Sequence, residues 1–168
     1  MNRIAALALA AALAVPAGAE AQARLLLGGG LSNPNGDMKL LYDSGIHGRV
    51  GLQVGVPVFP VSLRAEGELH RLPEAGSDET TNMLNGTLSG VLSLGGIGLS
   101  PYVIAGVGRY RRAPSGGGEA ITDRGIHGGF GASIGALGFG GFVEVRLVNI
   151  DRPEGDLRYV PLTVGFRF

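Results

Sequence analysis

Apolar and polar residues alternate along most of this chain. A period of two is the pattern of strands that turn one face to an apolar environment and the other to a polar one. At the C-terminal end Val160, Leu162, Val164, Phe166 and Phe168 share one face, while Tyr159, Pro161, Thr163, Gly165 and Arg167 share the other. In segment 61–70, Val61, Leu63, Ala65, Gly67 and Leu69 oppose Ser62, Arg64, Glu66, Glu68 and His70. Segments starting at Val50, Leu84, Ile126 and Val143 behave alike. Weaker alternation covers 24–32 and 101–111. The pattern predicts eight strands and no helix.

The connections alternate as well. Those after the first, third, fifth and seventh strands are polar: SNPNGDMKLLYDSG, PEAGSDE, APSGGGEA and DRPEGD. Those after the second, fourth and sixth are short and apolar or rich in glycine, near 57–60, 95–98 and 137–138. In an up-and-down arrangement each kind gathers at its own end. Long polar loops at one end and tight turns at the other are the layout of an outer-membrane barrel. A sheet in lipid has to close, because an open edge leaves backbone groups unpaired. The expected fold is therefore all-β, an eight-stranded antiparallel up-and-down transmembrane β-barrel.

Alternation alone does not say which face points out, and a soluble secreted barrel is the competing reading. Composition favours the membrane sense. Only 17% of the 168 residues are charged, against about 25% for a typical soluble domain, and many of these charges sit in the four loops. The polar face is rich in glycine and small hydroxyls, which suits a tube of roughly 16 Å backbone diameter whose interior must also hold Arg and Glu. Aromatic residues near strand ends predict two interfacial girdles. Phe59, Tyr102, Phe139, Phe166 and Phe168 would form one, and Tyr42, Tyr110 and Tyr159 the other.

The first segment reads as an address. Arg3 precedes an apolar run from Ile4 to Val15, Pro16 and Gly18 break it, and Ala21-Gln22-Ala23 presents small residues for a signal peptidase. The run is too short to span a bilayer. Residues 1–23 are thus expected to be a cleaved export signal and 24–168 the barrel, with Ala19 and Ala21 as alternative cleavage positions. Formal net charge is zero and cysteine is absent. This gives no support to a nucleic-acid partner, a disulfide framework or a thiolate metal site.

The exported start, the eight amphipathic segments, the PYVIAGVGRY stretch at 101–110 and the VGFRF ending resemble the small bacterial outer-membrane barrels of the OmpX and OmpA-domain type. The resemblance covers the whole chain after the export segment. It implies outer-membrane location, a monomer, and reading of Phe166 and Phe168 by the barrel-assembly machinery. The absence of tryptophan is a departure from the family's usual girdles.

Candidate chemistry follows from the faces. The lumen face offers Arg49, Arg64, Arg146 and Arg167 against Glu66, Glu68 and Glu144, a set that must pair in a narrow interior. A structural plug is expected, with a narrow channel as the alternative. GIHG occurs twice, so His47 and His127 begin opposite strands and should face each other across the upper lumen, with His70 at similar height. They read as polar lumen fillers; no metal or cofactor is expected. Lipid A-modifying barrel enzymes supply a third class. His127 or His70 with a nearby Ser and Asp123 or Glu68 would be the candidates, but the His-X-Ser arrangement of one such deacylase family is missing. No catalytic residue is assigned. Strand parity turns Arg109, Arg111, Arg124 and Arg158 outward at the loop end, where they could meet outer-membrane lipid and the phosphates of lipopolysaccharide, or form a solvated rim with Glu119, Asp123 and Asp156.

Overall fold

The structure, a computed structural model, describes residues 23–55, 60–95, 98–114, 119–136, 139–153 and 155–168. The expected export segment up to residue 22, Phe59 and the glycine-rich stretch 115–118 lie outside the described residues. Eight strands form: β1 (Ala23–Asn35), β2 (Gly45–Gly55), β3 (Val61–Pro73), β4 (Thr80–Ser93), β5 (Leu99–Pro114), β6 (Ile121–Ala136), β7 (Phe139–Asp151) and β8 (Leu157–Arg167). Each pairs antiparallel with the next, and β8 pairs with β1 to close the barrel. A 3₁₀ turn, Gly36–Leu40, follows β1, and the described residues include no α-helix.

Closure runs to the last residue. Leu25 N–H donates to the Phe168 carbonyl at 3.0 Å, and Phe168 N–H donates to the Leu25 carbonyl at 2.9 Å. Following the ladder partners from Leu25 around the ring through Leu88 and Ile126 to Arg158 returns to β1 at Asn35, ten residues further on. Eight strands with that stagger tilt by about 43° and enclose a backbone tube of roughly 16 Å diameter.

β3 shows which face is which. Ser62, Arg64, Glu66, Glu68, His70 and Leu72 are buried, and the residues between them are exposed. Outside, Leu63 is 57% exposed, Phe130 65% and Val164 61%, part of a continuous apolar surface. In water such a surface would drive aggregation; in a bilayer it is the lipid contact, and the buried charges line the lumen.

The tyrosines depart from the expected girdles. Tyr102, Tyr110 and Tyr159 point inward and are buried. Their parity decides it: Tyr102 and Tyr110 share the inner face of β5 with Arg112, and Tyr159 shares that of β8 with Thr163. The outward aromatics that remain near the short-turn end are Phe139, Phe166 and Phe168. The Phe139 ring lies 5.8 Å from that of Phe166 and 5.4 Å from that of Phe168. Among the described residues, one girdle is formed rather than two. The lumen also holds an apolar layer at the loop end: Met38, Leu72, Met83, Tyr110, Val148, Ile150, Leu157 and Tyr159, with Tyr42 packed against it. Met38 comes from the polar first loop, through the 3₁₀ turn that Asn35 caps by accepting from Gly36 N–H.

Candidate functional site

Three layers fill the tube beneath the loops, and β3 crosses them in order: carboxylates and arginine, then His70, then apolar Leu72. The charged layer contains Arg49, Arg64 and Arg146 with Glu66, Glu68 and Glu144, all nearly inaccessible. Arg146 bonds to Glu66 at 2.5 Å, Glu144 at 2.6 Å and Glu68 at 3.3 Å. Glu144 also receives Arg49 and Arg64, each at 2.7 Å, and the Tyr102 hydroxyl at 2.8 Å. Arg64 continues downward to Gln53 at 3.0 Å, and Gln53 to Ser62 at 2.7 Å. Arg49 Nε and Nη2 have no hydrogen-bond partner; its guanidinium lies over the Phe142 ring, 5.3 Å from the centroid.

Three positive and three negative charges cancel. Each buried ion loses several kcal/mol of hydration, and an opposite charge ~4 Å away returns about 4 kcal/mol at an effective dielectric of ~20. Only a mutual network of this kind balances. Glycine makes the room. The cross-strand partners of Glu66, Arg146 and Glu144 are Gly51, Gly129 and Gly131. A Cβ on Gly51 would lie 2.7 Å from Glu66 Cγ, and one on Gly129 2.8 Å from Arg146 Cα.

Arg167 does not join this layer. It lies half-buried at the short-turn mouth, beside Gly140, because β8 ends below the level of Arg146.

The histidines are not three of a kind. His47 and His70 are ladder partners on β2 and β3, with stacked rings 4.9 Å apart. Both Nδ1 atoms meet the Ser32 hydroxyl, at 3.0 and 2.7 Å. His47 Nε2 meets Thr163 Oγ1 at 2.8 Å, and His70 Nε2 meets Glu68 Oε2 at 3.1 Å. His127 stands apart on β6 with Ser89 Oγ at 2.9 Å from Nε2. Among the described residues no three His, Asp or Glu gather as a metal-ligand set.

Ser32, His70 and Glu68 have the hydroxyl–imidazole–carboxylate connectivity of an acyl-transfer triad. Ser32 and His70 are 0% exposed, however, and sit under the apolar layer. Among the described residues that burial leaves Oγ no open approach, and the strand backbone around it is committed to the sheet ladder. Asp123, the other acidic candidate, pairs with Arg112 at 2.6 Å. Sequence reasoning missed Ser32 and Thr163 as partners. Ser32 has inward parity, but the three glycines before it leave the first strand without a visible alternation.

On the outer wall, Arg109, Arg111 and Arg124 come together and Arg158 does not. Arg109 and Arg124 are direct ladder partners on β5 and β6, and Arg111 follows two residues on. Among the described residues none of the three has an ion-pair partner. Arg158, on β8, donates to Asn149 at 3.0 Å and lies 3.9 Å from Asp156. The apolar band stops just below the group, at Leu84, Val107 and Ile126.

Known structures share this architecture. The barrel is similar to Neisserial surface protein A, with a TM-score of 0.70 and 14% identity over 86% of this chain and 95% of that one. It is similar to the N-terminal β-barrel domain of Pseudomonas aeruginosa OprF, with a TM-score of 0.55 and 18% identity over 88% and 98% of the two chains. It also resembles Ail, the attachment invasion locus protein of Yersinia pestis, with a TM-score of 0.54 and 15% identity over 89% and 99%. At these identities the likeness is one of fold. No curated protein sequence matches the chain. The model of the outer membrane protein beta-barrel domain matches residues 5–168, a span that includes all eight strands of the tube, and the chain belongs to that family.

Proposed function

We propose that the protein is a sealed outer-membrane anchor that holds its loop end at the cell surface, and that it neither conducts nor catalyses. The observation that carries this reading is the double seal. A neutral layer of six interlocked charges lies under an apolar layer supplied partly by Met38. An aqueous path would have to break ion pairs with almost no accessible surface, at a cost of several kcal/mol per ion. Residues 1–23 direct export in this reading, and the assembly machinery recognises Phe166 and Phe168. Arg109, Arg111 and Arg124 meet phosphate groups of lipopolysaccharide, with Arg158 as a weaker contact because Asp156 already faces it.

Planar-bilayer recording of the purified barrel tests the seal. Membranes that stay at baseline across applied voltages are the expected result. Discrete conductance steps from correctly folded, heat-modifiable protein would overturn it in favour of a channel.

A further inference from the structure

The outer wall is not uniformly studded with side chains. One row of ladder partners runs Val50, Gly67, Gly86, Arg109, Arg124 and Asp151 across β2 to β7. Because the strands are tilted, this row climbs toward the loop end as it passes from β2 to β7. The arginines therefore stand at the top of the apolar band and the glycines lie deeper within it. A Cβ built on Gly67 or Gly86 would meet no atom within 4 Å. A depression results, lined by Gly86, Leu88, Val107 and Ile126 and closed above by Arg109, Arg124 and Asp151. A second depression, over Gly48 and Gly67, adjoins it between Val50, Leu69 and Leu84.

The charge at the head of this furrow identifies its occupant. Like charges directly opposite on a ladder repel; Asp151, the ladder partner of Arg124 on its other side, offsets part of that charge, but no ion pair joins it to Arg109 or Arg124 among the described residues, so the head of the furrow keeps a net positive charge. A dianion shared between two guanidiniums turns that repulsion into two charge-assisted contacts. The same molecule must offer a hydrocarbon chain directly below its charge, since the furrow floor is bare backbone flanked by Leu88, Val107 and Ile126.

We propose that this furrow seats one phosphorylated glycolipid of the lipid A type, its phosphate bridging Arg109 and Arg124 and one acyl chain lying over Gly86 and Gly67. The proposal rests on the reading of the arginines as phosphate contacts and adds a chain subsite to it. The subsite fixes which lipid lies against which strands, so the outer wall between β3 and β6 is a specific seat and not a generic lipid surface.

The test is native mass spectrometry of the barrel released from nanodiscs containing bisphosphorylated lipid A and phosphatidylglycerol in equal amounts. Wild-type protein is expected to retain one lipid A. Gly86→Leu fills the furrow from the outside, where nothing obstructs it, so the heat-modifiable fold is kept and retained lipid A falls several-fold. Arg109→Ala with Arg124→Ala lowers it as well. If the arginine variant loses lipid A and Gly86→Leu keeps it, the chain subsite is overturned and the phosphate contact stands. If both variants keep it, both readings fall. Equal retention of phosphatidylglycerol by the wild type would overturn the glycolipid assignment.

Discussion

His47 and His70 stack across the β2–β3 ladder and share a single hydroxyl, that of Ser32. The Glu68 carboxylate only accepts, so a neutral ring at His70 would donate from Nε2 and accept at Nδ1. Ser32 then donates to His70 and accepts from His47 Nδ1–H, which leaves His47 Nε2 to accept from Thr163. With both rings neutral, this one assignment satisfies every atom in the chain from Thr163 to Glu68. The chain ties β1, β2, β3 and β8 together beneath the apolar layer.

Ser32→Ala removes the hydroxyl that reaches both Nδ1 atoms. It leaves a buried donor on His47 and a buried acceptor on His70, for an expected loss of about 1–3 kcal/mol. The urea midpoint of the barrel in detergent, read by gel mobility, should fall. Nitrogen-15 shifts of His70 should lose the signature of a hydrogen-bonded Nδ1. An unchanged midpoint with unchanged His70 shifts would remove the relay as a stabilising element.

Arg146 contacts all three glutamates of the charged layer, and among the described residues no other arginine makes bonds as short to two of them. Arg146→Met fills much of the same space and leaves three carboxylates facing two arginines. Breaking a buried pair in this way costs about 3–5 kcal/mol. A double-mutant cycle of Arg64→Met with Glu144→Gln should show a coupling of about 0.5–3 kcal/mol. Additivity within the error of the unfolding measurement would mean that these ions are independently solvated.

The period-two pattern carried the strand number and the division into two faces, because lipid outside and charge inside leave opposite residues on opposite parities; the low charge content and the glycine-rich polar face carried the membrane sense. Segment 61–70 could be read almost residue by residue. Two things were not legible. The first is the stagger of ten, which decides that Arg64 meets Glu144 across the lumen; no strand's own sequence encodes how far its neighbour slides. The second is the inner apolar layer. Along β5 the outward residues Val103, Ala105 and Val107 alternate with inward Ile104 and two glycines, so apolarity marks neither side, and Tyr102 and Tyr110 passed for girdle residues by their nearness to strand ends. Met38 was hidden in a loop whose neighbours are polar.

Glycines of opposite parity should tolerate opposite changes. On Gly129 a Cβ would collide with the Val145 carbonyl oxygen, which is backbone and has nowhere to go. On Gly67 it would sit in open space on the lipid side. Gly129→Ala is expected to destabilise the barrel by about 1–3 kcal/mol or more through overpacking, and Gly67→Ala to leave its unfolding midpoint within error of the wild type. Equal tolerance at both positions would contradict the inward placement of Gly129.

Phe168 does two separable things at the seam. Its backbone exchanges two hydrogen bonds with Leu25, and its ring lies against Phe139 on the lipid side. Phe168→Leu keeps the backbone bonds and an apolar side chain, so spontaneous refolding into detergent should proceed with an unfolding free energy within about 1 kcal/mol of the wild type, the loss of one exposed ring contact. Deleting residue 168 removes both hydrogen bonds and should lower the unfolding free energy by about 1–3 kcal/mol, read as a lower midpoint. If the assembly machinery reads the aromatic ring, Phe168→Leu will instead slow insertion in cells while refolding in detergent stays normal. Equal insertion rates for wild type and Phe168→Leu would assign the residue to closure of the sheet alone.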